Sequence, residues 1–456
     1  MIMGFDLERF IREKVTGREQ SLLADDFERY DAELHRRIDG KRVLVIGGAG
    51  SIGSHYIKAI LCYDVAALYV VDTNENGLTE LVRDLRSDGR YCIPDEFVTY
   101  PVNFGDAVFA KLFKAHGPFQ IVANFAAHKH VRSEKDVFSI EAMIENNLLR
   151  ARGLLDLLCE YPPEHFFCVS TDKAANPVNI MGASKKLMEE LIMAYSERLP
   201  IKTARFANVA FSNGSLPAGF LERIAKRQPW SCPLGIRRFF VSPIEAGELC
   251  LMASVMGESG DIVFPRLDEE RDMIPFERVA RELLAALGLG VQECGSEAEA
   301  RGFLLRPQRL QPQSGCNQEG KRVERGVGAG EAGVIATTHW LQQEGKRGNT
   351  DLQPLGGCKN GERWPVYFFA SDTSGEKAFE EFYTPGEELD LEKFVSLGVV
   401  KNSKKRSMRE IDEIFANLRN LFERESITKA DVVEVLKDYL PNFAHIETGK
   451  GLDGKM

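Results

Sequence analysis

No apolar run in this sequence reaches the ~18–20 residues that a bilayer-spanning helix needs. The N-terminal stretch MIMGFDLERFIREKV is charged throughout and lacks the apolar centre of a secretory signal. There is no basic surplus either: 58 Lys and Arg against 68 Asp and Glu leave a net charge of −10. That balance argues against a nucleic-acid binder, which would carry a basic stripe. None of the 9 cysteines stands at C-x-x-C spacing, so no zinc or redox motif is indicated. Their odd number fits a reducing compartment. His128 and His130 flank Lys129, but two histidines without further ligands do not make a metal site. The expectation is a soluble, cytoplasmic protein without metal, nucleic-acid partner or membrane span.

What is present is an ordinary globular composition, 44% hydrophobic and 28% charged, in 456 residues. That length exceeds what one core usually serves, so more than one domain is expected. Residues 1–40 read as a helical arm, with apolar positions such as Phe10, Ile11, Leu34 and Ile38 among charges. From Lys41 to residue 207, short apolar runs alternate with helical patterns. The expected strands are Arg42–Ile46, Ala67–Val71, Phe97–Pro101, Ile121–Phe125, His165–Val169 and Lys202–Phe206. This alternation predicts α/β architecture: a Rossmann-type, doubly wound parallel sheet. Residues 208–305 read as a smaller mixed α/β lobe for substrate, continued by 364–456 with a helical tail. Between them, 306–363 is rich in Gly, Gln, Arg and Lys and contains the imperfect repeat QEGKR at 318–322 and 343–347. It reads as a disordered insertion without a catalytic part, whose deletion should preserve folding.

The run Val43–Ile46 leads into Gly47-Gly48-Ala49-Gly50-Ser51-Ile52-Gly53, a strand, a glycine turn and the start of a helix. Such a turn lets backbone approach a pyrophosphate, and the helix amides stabilise its charge. Asp72 ends the next strand, ~20 residues on, where a dinucleotide's ribose hydroxyls would be bound. It is followed by Thr73-Asn74-Glu75 and no arginine, which favours NAD over NADP. The alternative for Asp72 is a helix cap.

The three-residue glycine spacing resembles that of extended short-chain dehydrogenase/reductases. Asn124-Phe125-Ala126-Ala127-His128-Lys129-His130-Val131 is similar to their segment after the fourth strand, and Asn147 matches their helix asparagine. Ser170-Thr171-Asp172-Lys173-Ala174-Ala175-Asn176-Pro177 and Met181-Gly182-Ala183-Ser184-Lys185 resemble the signature of UDP-N-acetylglucosamine 4,6-dehydratases, the CapD-like polysaccharide-biosynthesis group. The resemblance implies oxidation at sugar C4, loss of the C5 proton and C6 hydroxyl, and return of hydride to C6. It implies Asp172 as acid, Lys173 as base, Lys185 on the nicotinamide ribose, and a tightly held NAD. It further implies cofactor contacts at Gly47, Gly50, Ser51, Ile52, Gly53, Asp72, Asn103, Ala126, Ala127, Lys129 and Asn147. The nucleotide-sugar substrate, of UDP-hexose type, would meet His130, Asn208 and Arg238, and a homo-oligomer is implied by analogy.

An adjacent acid and base must sit where a strand ends, because neighbouring strand residues face opposite ways. A neutral Lys173 would be favoured by Lys185 and the nicotinamide charge. Met181 stands where most relatives have the tyrosine that deprotonates the alcohol, so that step passes to Thr171 or a water. Ser371–Lys377 resembles the group's RPGEK segment with Thr373-Ser374 in place of Arg-Pro. Two rival readings remain: a nucleotide-sugar 4-epimerase, for which Asp172 and Lys173 would be idle, and a non-catalytic NAD-binding protein.

Overall fold

The computed structural model describes residues 5–129, 134–305, 362–370, 380–403 and 405–446. Its centre is a sheet of nine strands. β1 (Arg42–Ile46), β2 (Ala67–Val71), β3 (Glu96–Tyr100), β4 (Ile121–Asn124), β5 (His165–Val169) and β6 (Ile201–Ala204) run parallel in the order 3-2-1-4-5-6. That order, with a glycine turn after β1, is the Rossmann arrangement expected from the sequence. β1 and β2 are almost wholly apolar because helices cover both of their faces.

Six further strands make two small sheets. β7 (Asn208–Val209), β9 (Arg237–Val241) and β11 (Met273–Pro275) form one; β8 (Trp230–Leu234), β12 (Gly290–Cys294) and β13 (Arg363–Ala370) form the other. The remaining strands extend the main sheet. β10 (Ile262–Pro265) adds parallel to β6, and β15 (Leu397–Lys401) and β14 (Glu388–Asp390) follow antiparallel. Part of 208–305 and part of 364–456 thus share one sheet with 41–207. Of the residues 306–363 read from the sequence as an insertion, 306–361 lie outside the described residues, while β13 begins at Arg363, within that stretch.

The arm is fastened by charge as well as by apolar packing. The guanidinium of Arg18 donates to both oxygens of Glu245, at 2.7 and 2.8 Å. Glu245 also completes a capping box with Ser242 at the start of the helix Pro243–Met256. Asp26, in the helix Ala24–Ile38, accepts from the amides of Val395 and Ser396 at 2.7 and 2.8 Å. Among the described residues, no helix is long and apolar enough to cross a membrane.

Candidate functional site

A cleft of about 790 Å³ opens at the carboxyl ends of the central strands. One wall is the glycine turn. Gly47 has φ +78°, and a Cβ there would stand 2.6 Å from the amide nitrogen of Ala126. A Cβ on Gly53 would stand 2.3 Å from the carbonyl oxygen of Gly47, so both positions require glycine. Gly50 has no such clash; its nearest neighbour would be 3.4 Å away, and it faces the cleft. The helix Ser51–Ile60 starts there without a side-chain cap, with Ser51, Ile52 and Gly53 on the cleft wall. Uncapped first-turn amides at a concave surface suit an anion. Gly47→Ala should therefore weaken dinucleotide binding at least ~10-fold by calorimetry. An unchanged affinity would dissociate the turn from the pyrophosphate.

Asp72 braces this turn. Its carboxylate accepts from the amides of Ala49 and Asn74, both at 2.9 Å, and it lines the cleft. It does not cap the helix Glu75–Ser87; Asn74 does, accepting from Gly77 at 3.0 Å. Asn103, Ala126, Ala127 and Lys129 also line the cleft, and burial lowers the pKa of Lys129. Asn147 is absent from the cleft wall. Its amide clamps the backbone of His128 (2.9 and 3.0 Å) and donates to Ser184 at 3.2 Å, so it supports the wall from behind. His130 lies outside the described residues, as do Ser371–Lys377.

The opposite wall carries the residues expected to act as acid and base. β5 ends at Val169, and Asp172–Ala174 form one 3₁₀ turn capped by Thr171. The turn breaks strand alternation, so Thr171, Asp172 and Lys173 all line the same cleft. The hydroxyl of Thr171 donates to Asp172 Oδ1 at 2.7 Å. The Nζ of Lys173 donates to both carboxylate oxygens of Asp172, at 3.2 and 3.3 Å. Burial pulls the pKa of Lys173 down, but the charges of Asp172 and Glu380 outweigh it and hold the ammonium above its ordinary value. In this resting arrangement Lys173 is charged, not neutral. Lys185 does not change that: it lines the cleft but is buried, donates to the carbonyl of Val169 at 3.0 Å, and has its own pKa lowered by burial. Met181 lines the cleft, and its amide donates to Glu134 at 2.9 Å.

Glu380 was not singled out by the sequence. It is 7% exposed, and its carboxylate accepts from the side-chain amide of Asn208 and, at 3.0 Å, from the amide of Phe239. Asn208 lines the cleft, with its amide nitrogen held by Glu380. Arg238 is absent from the cleft wall; its Nε lies 3.8 Å from Glu380. Burial first, and then the charge of Asp172, push the carboxyl of Glu380 well above the usual range.

A buried ion network fixes this segment. Arg205, 0% exposed, forks onto Glu189 (2.9 and 2.9 Å) and Glu387 (2.9 and 3.0 Å) and donates to the carbonyl of Phe382. Glu189 accepts in turn from Ser170, at 2.7 Å, which directly precedes Thr171.

Comparison with known proteins agrees with this architecture. The chain is 31% identical over 255 residues to an uncharacterized membrane protein of Methanocaldococcus jannaschii, matching 54% of this chain and 73% of that one. It is 31% identical over 236 residues to the probable polysaccharide biosynthesis protein EpsC of Bacillus subtilis, 51% of this chain and 38% of the relative. The chain thus spans well under half of that relative's length. The crystal structure of Pen from Bacillus thuringiensis superposes with a TM-score of 0.54 at 17% identity, covering 84% of this chain and 98% of that one, which is a likeness of fold. A family model described as "polysaccharide biosynthesis protein" matches residues 43–305, more than half of the sequence, and the chain belongs to that family.

Proposed function

We propose that this protein is an NAD-dependent nucleotide-sugar 4,6-dehydratase, acting on UDP-N-acetylglucosamine or a close relative. One observation carries the reading: Asp172 bonds at once to the hydroxyl of Thr171 and the ammonium of Lys173, on the wall of a cleft whose other side is the glycine turn. Bound nicotinamide would supply reversible hydride exchange with the sugar. The cradle fits that group: the uncapped helix start suits its pyrophosphate, and the carboxylate of Asp72 suits a ribose diol and repels a 2′-phosphate.

The proton steps then belong to this chain's residues. The C4 hydroxyl gives its proton to Asp172 through Thr171 Oγ1, along the 2.7 Å bond. Once Asp172 is neutral, Lys173 loses its ion-pair partner, its pKa falls, and its extra proton leaves to solvent through its exposed side. Neutral Lys173 takes the proton from sugar C5. Asp172 passes its acquired proton to the departing C6 hydroxyl, which leaves as water. Lys173 finally returns its proton to C5 and regains from solvent the proton it released, so protons balance over the turnover. Met181 cannot titrate, which is why Thr171 and Asp172 carry the first step.

The ion-paired state of Lys173 favours a second reading, a nucleotide-sugar 4-epimerase in which Lys173 stays charged and no elimination occurs. Turnover of UDP-N-acetylglucosamine in deuterated water separates the two. Dehydration should give a product lighter by one water, with deuterium at C5. An isomer of unchanged mass would establish epimerisation, and no turnover of any nucleotide hexose would defeat both.

A further inference from the structure

The helix Leu216–Ala225 presents two unlike faces. Phe220 is fully buried and stacks on Trp230 with ring centroids 4.4 Å apart, which anchors one side in the smaller lobe. On the other side, Leu216, Gly219 and Arg223 line the cleft, at the i, i+3 and i+7 spacing of one helix face. The loop before this helix is tied to the glycine-turn wall, where the amide of Asn213 donates to Ser51 Oγ at 2.9 Å. Side chains on a helix lean toward its N-terminus, so Arg223 lies over the turn that contains Gly219. A Cβ on Gly219 would stand 2.5 Å from Nη1 of Arg223. Glycine is a poor former of helix interiors, and here its missing side chain is the space beside the guanidinium.

The charge of Arg223 is uncompensated. Among the described residues it is the one arginine on the cleft wall, and it makes no side-chain hydrogen bond or ion pair. Its neighbour Glu222 pairs instead with Lys226, at 3.1 Å. The other cations on the wall are committed or stand with the glycine turn. Lys173 is bonded to Asp172, and Lys185 to the carbonyl of Val169. Lys129 follows closely on Ala126, the residue packed against Gly47. Arg238, the arginine that the family resemblance implies for the substrate, is off the wall, with Nη1 donating to the carbonyl of Arg237 at 2.8 Å.

We propose that Arg223 grips the diphosphate of the nucleotide sugar, with Gly219 as the notch that seats its guanidinium. This role rests on the nucleotide-sugar reading and names where the charge of that substrate is held. A planar guanidinium offers paired N–H donors that match two phosphate oxygens. The pyrophosphate of the dinucleotide has the uncapped amides of the helix Ser51–Ile60, which leaves the guanidinium on the smaller lobe for the second diphosphate.

The test is calorimetry on the full chain, titrated with NAD, and on the NAD-loaded chain, titrated with UDP. Arg223→Gln should weaken UDP binding ~10-fold or more and leave NAD within ~3-fold. Arg223→Lys, which keeps the charge without the fork, should fall between. Gly219→Ala should also weaken UDP binding, because its methyl displaces the guanidinium. Its melting temperature should hold or rise, alanine being the better helix former. Added to Arg223→Gln, Gly219→Ala should change UDP affinity by less than ~2-fold. An additive loss would give Gly219 a contact of its own and overturn the notch. Unchanged UDP affinity in Arg223→Gln, or equal losses for UDP and NAD, overturns the assignment and leaves the nucleotide-sugar reading standing. A loss confined to NAD overturns it in favour of the dinucleotide's pyrophosphate. No binding of any nucleoside diphosphate by the unaltered chain defeats the nucleotide-sugar reading itself, and the role of Arg223 with it. If Arg223→Gln does not fold, Arg223→Lys and Gly219→Ala decide by the same comparison of UDP with NAD.

Discussion

Lys173→Met is expected to abolish loss of water from the nucleotide sugar, lowering turnover by at least ~10³-fold, while dinucleotide binding stays within a few-fold. Positioned general acid–base catalysis contributes about 10²–10⁴-fold, and Lys173 is the one amine on the cleft wall bonded to Asp172. Methionine keeps the length and packing of the side chain but can neither take nor return the C5 proton. In the proposed mechanism the first step depends on Thr171 and Asp172, so reduced nicotinamide should still accumulate by absorbance when substrate is added. Reduced cofactor without product would locate the block after C4 oxidation. Retention of dehydration within tenfold would remove Lys173 from the chemistry. Folding should suffer little. The folded-state pKa of Lys173 is raised, so whatever its ion pair adds is fully present at neutral pH and is lost only in strongly alkaline solution. With a side chain about one-third exposed, that contribution is small.

Arg205→Leu should have the largest effect on stability, a loss of about 3–5 kcal/mol in urea unfolding. Leucine would leave Glu189 and Glu387 facing each other in the interior without their shared cation. For both carboxyls, burial raises the pKa, but the bonds and charge of Arg205 outweigh it, and the net shift is downward. A depressed folded-state pKa means stabilisation that is present above the ordinary carboxylate range and lost as pH falls through the folded value. The deficit of Arg205→Leu should accordingly be large at neutral pH and shrink in acid. Arg205→Lys keeps the charge without the two-pronged geometry and should fall between. A loss below ~1 kcal/mol for the leucine variant would mean that the network relaxes around water instead of holding the Glu380 segment.

Much of the central sheet is legible from local pattern, because buried parallel strands announce themselves as apolar runs. The bounds of β1, β2 and β5 follow directly from RVLVI, ALYVV and HFFCV, and the helix Pro243–Met256 from its Ser-Pro start. β8 and β12 escape that reading. WSCPL contains a proline and GVQEC is half polar, and they form strands by pairing with β13, a partner distant in sequence. The glycine turn and the Thr171–Lys173 run are legible because their neighbours in sequence are also their neighbours in space. Glu380 is not, since nothing local distinguishes it from the adjacent Glu381. Its importance comes from Asn208 and Phe239, more than 140 residues earlier. The raised pKa of Lys173 is hidden for the same reason, because one of its causes, Glu380, lies on that distant segment.

The way the nine-stranded sheet is completed bears on how the chain can be made and dissected. The recognisable family region stops at residue 305, yet β10 pairs on its outer side only with β15, at 397–401. A fragment cut at that boundary would display Ile262, Val263 and Phe264 on an open strand edge, a template for aggregation. Synthesis imposes the same exposure in time. Asp26 and its partner amide at Val395 are separated by 369 positions, roughly 20–70 s of elongation. During that interval the nascent sheet has its glycine turn and its Asp172–Lys173 pair but neither its last strands nor the clasp of the arm. A piece that ends where sequence similarity ends is therefore expected to aggregate more readily than one that runs through β15.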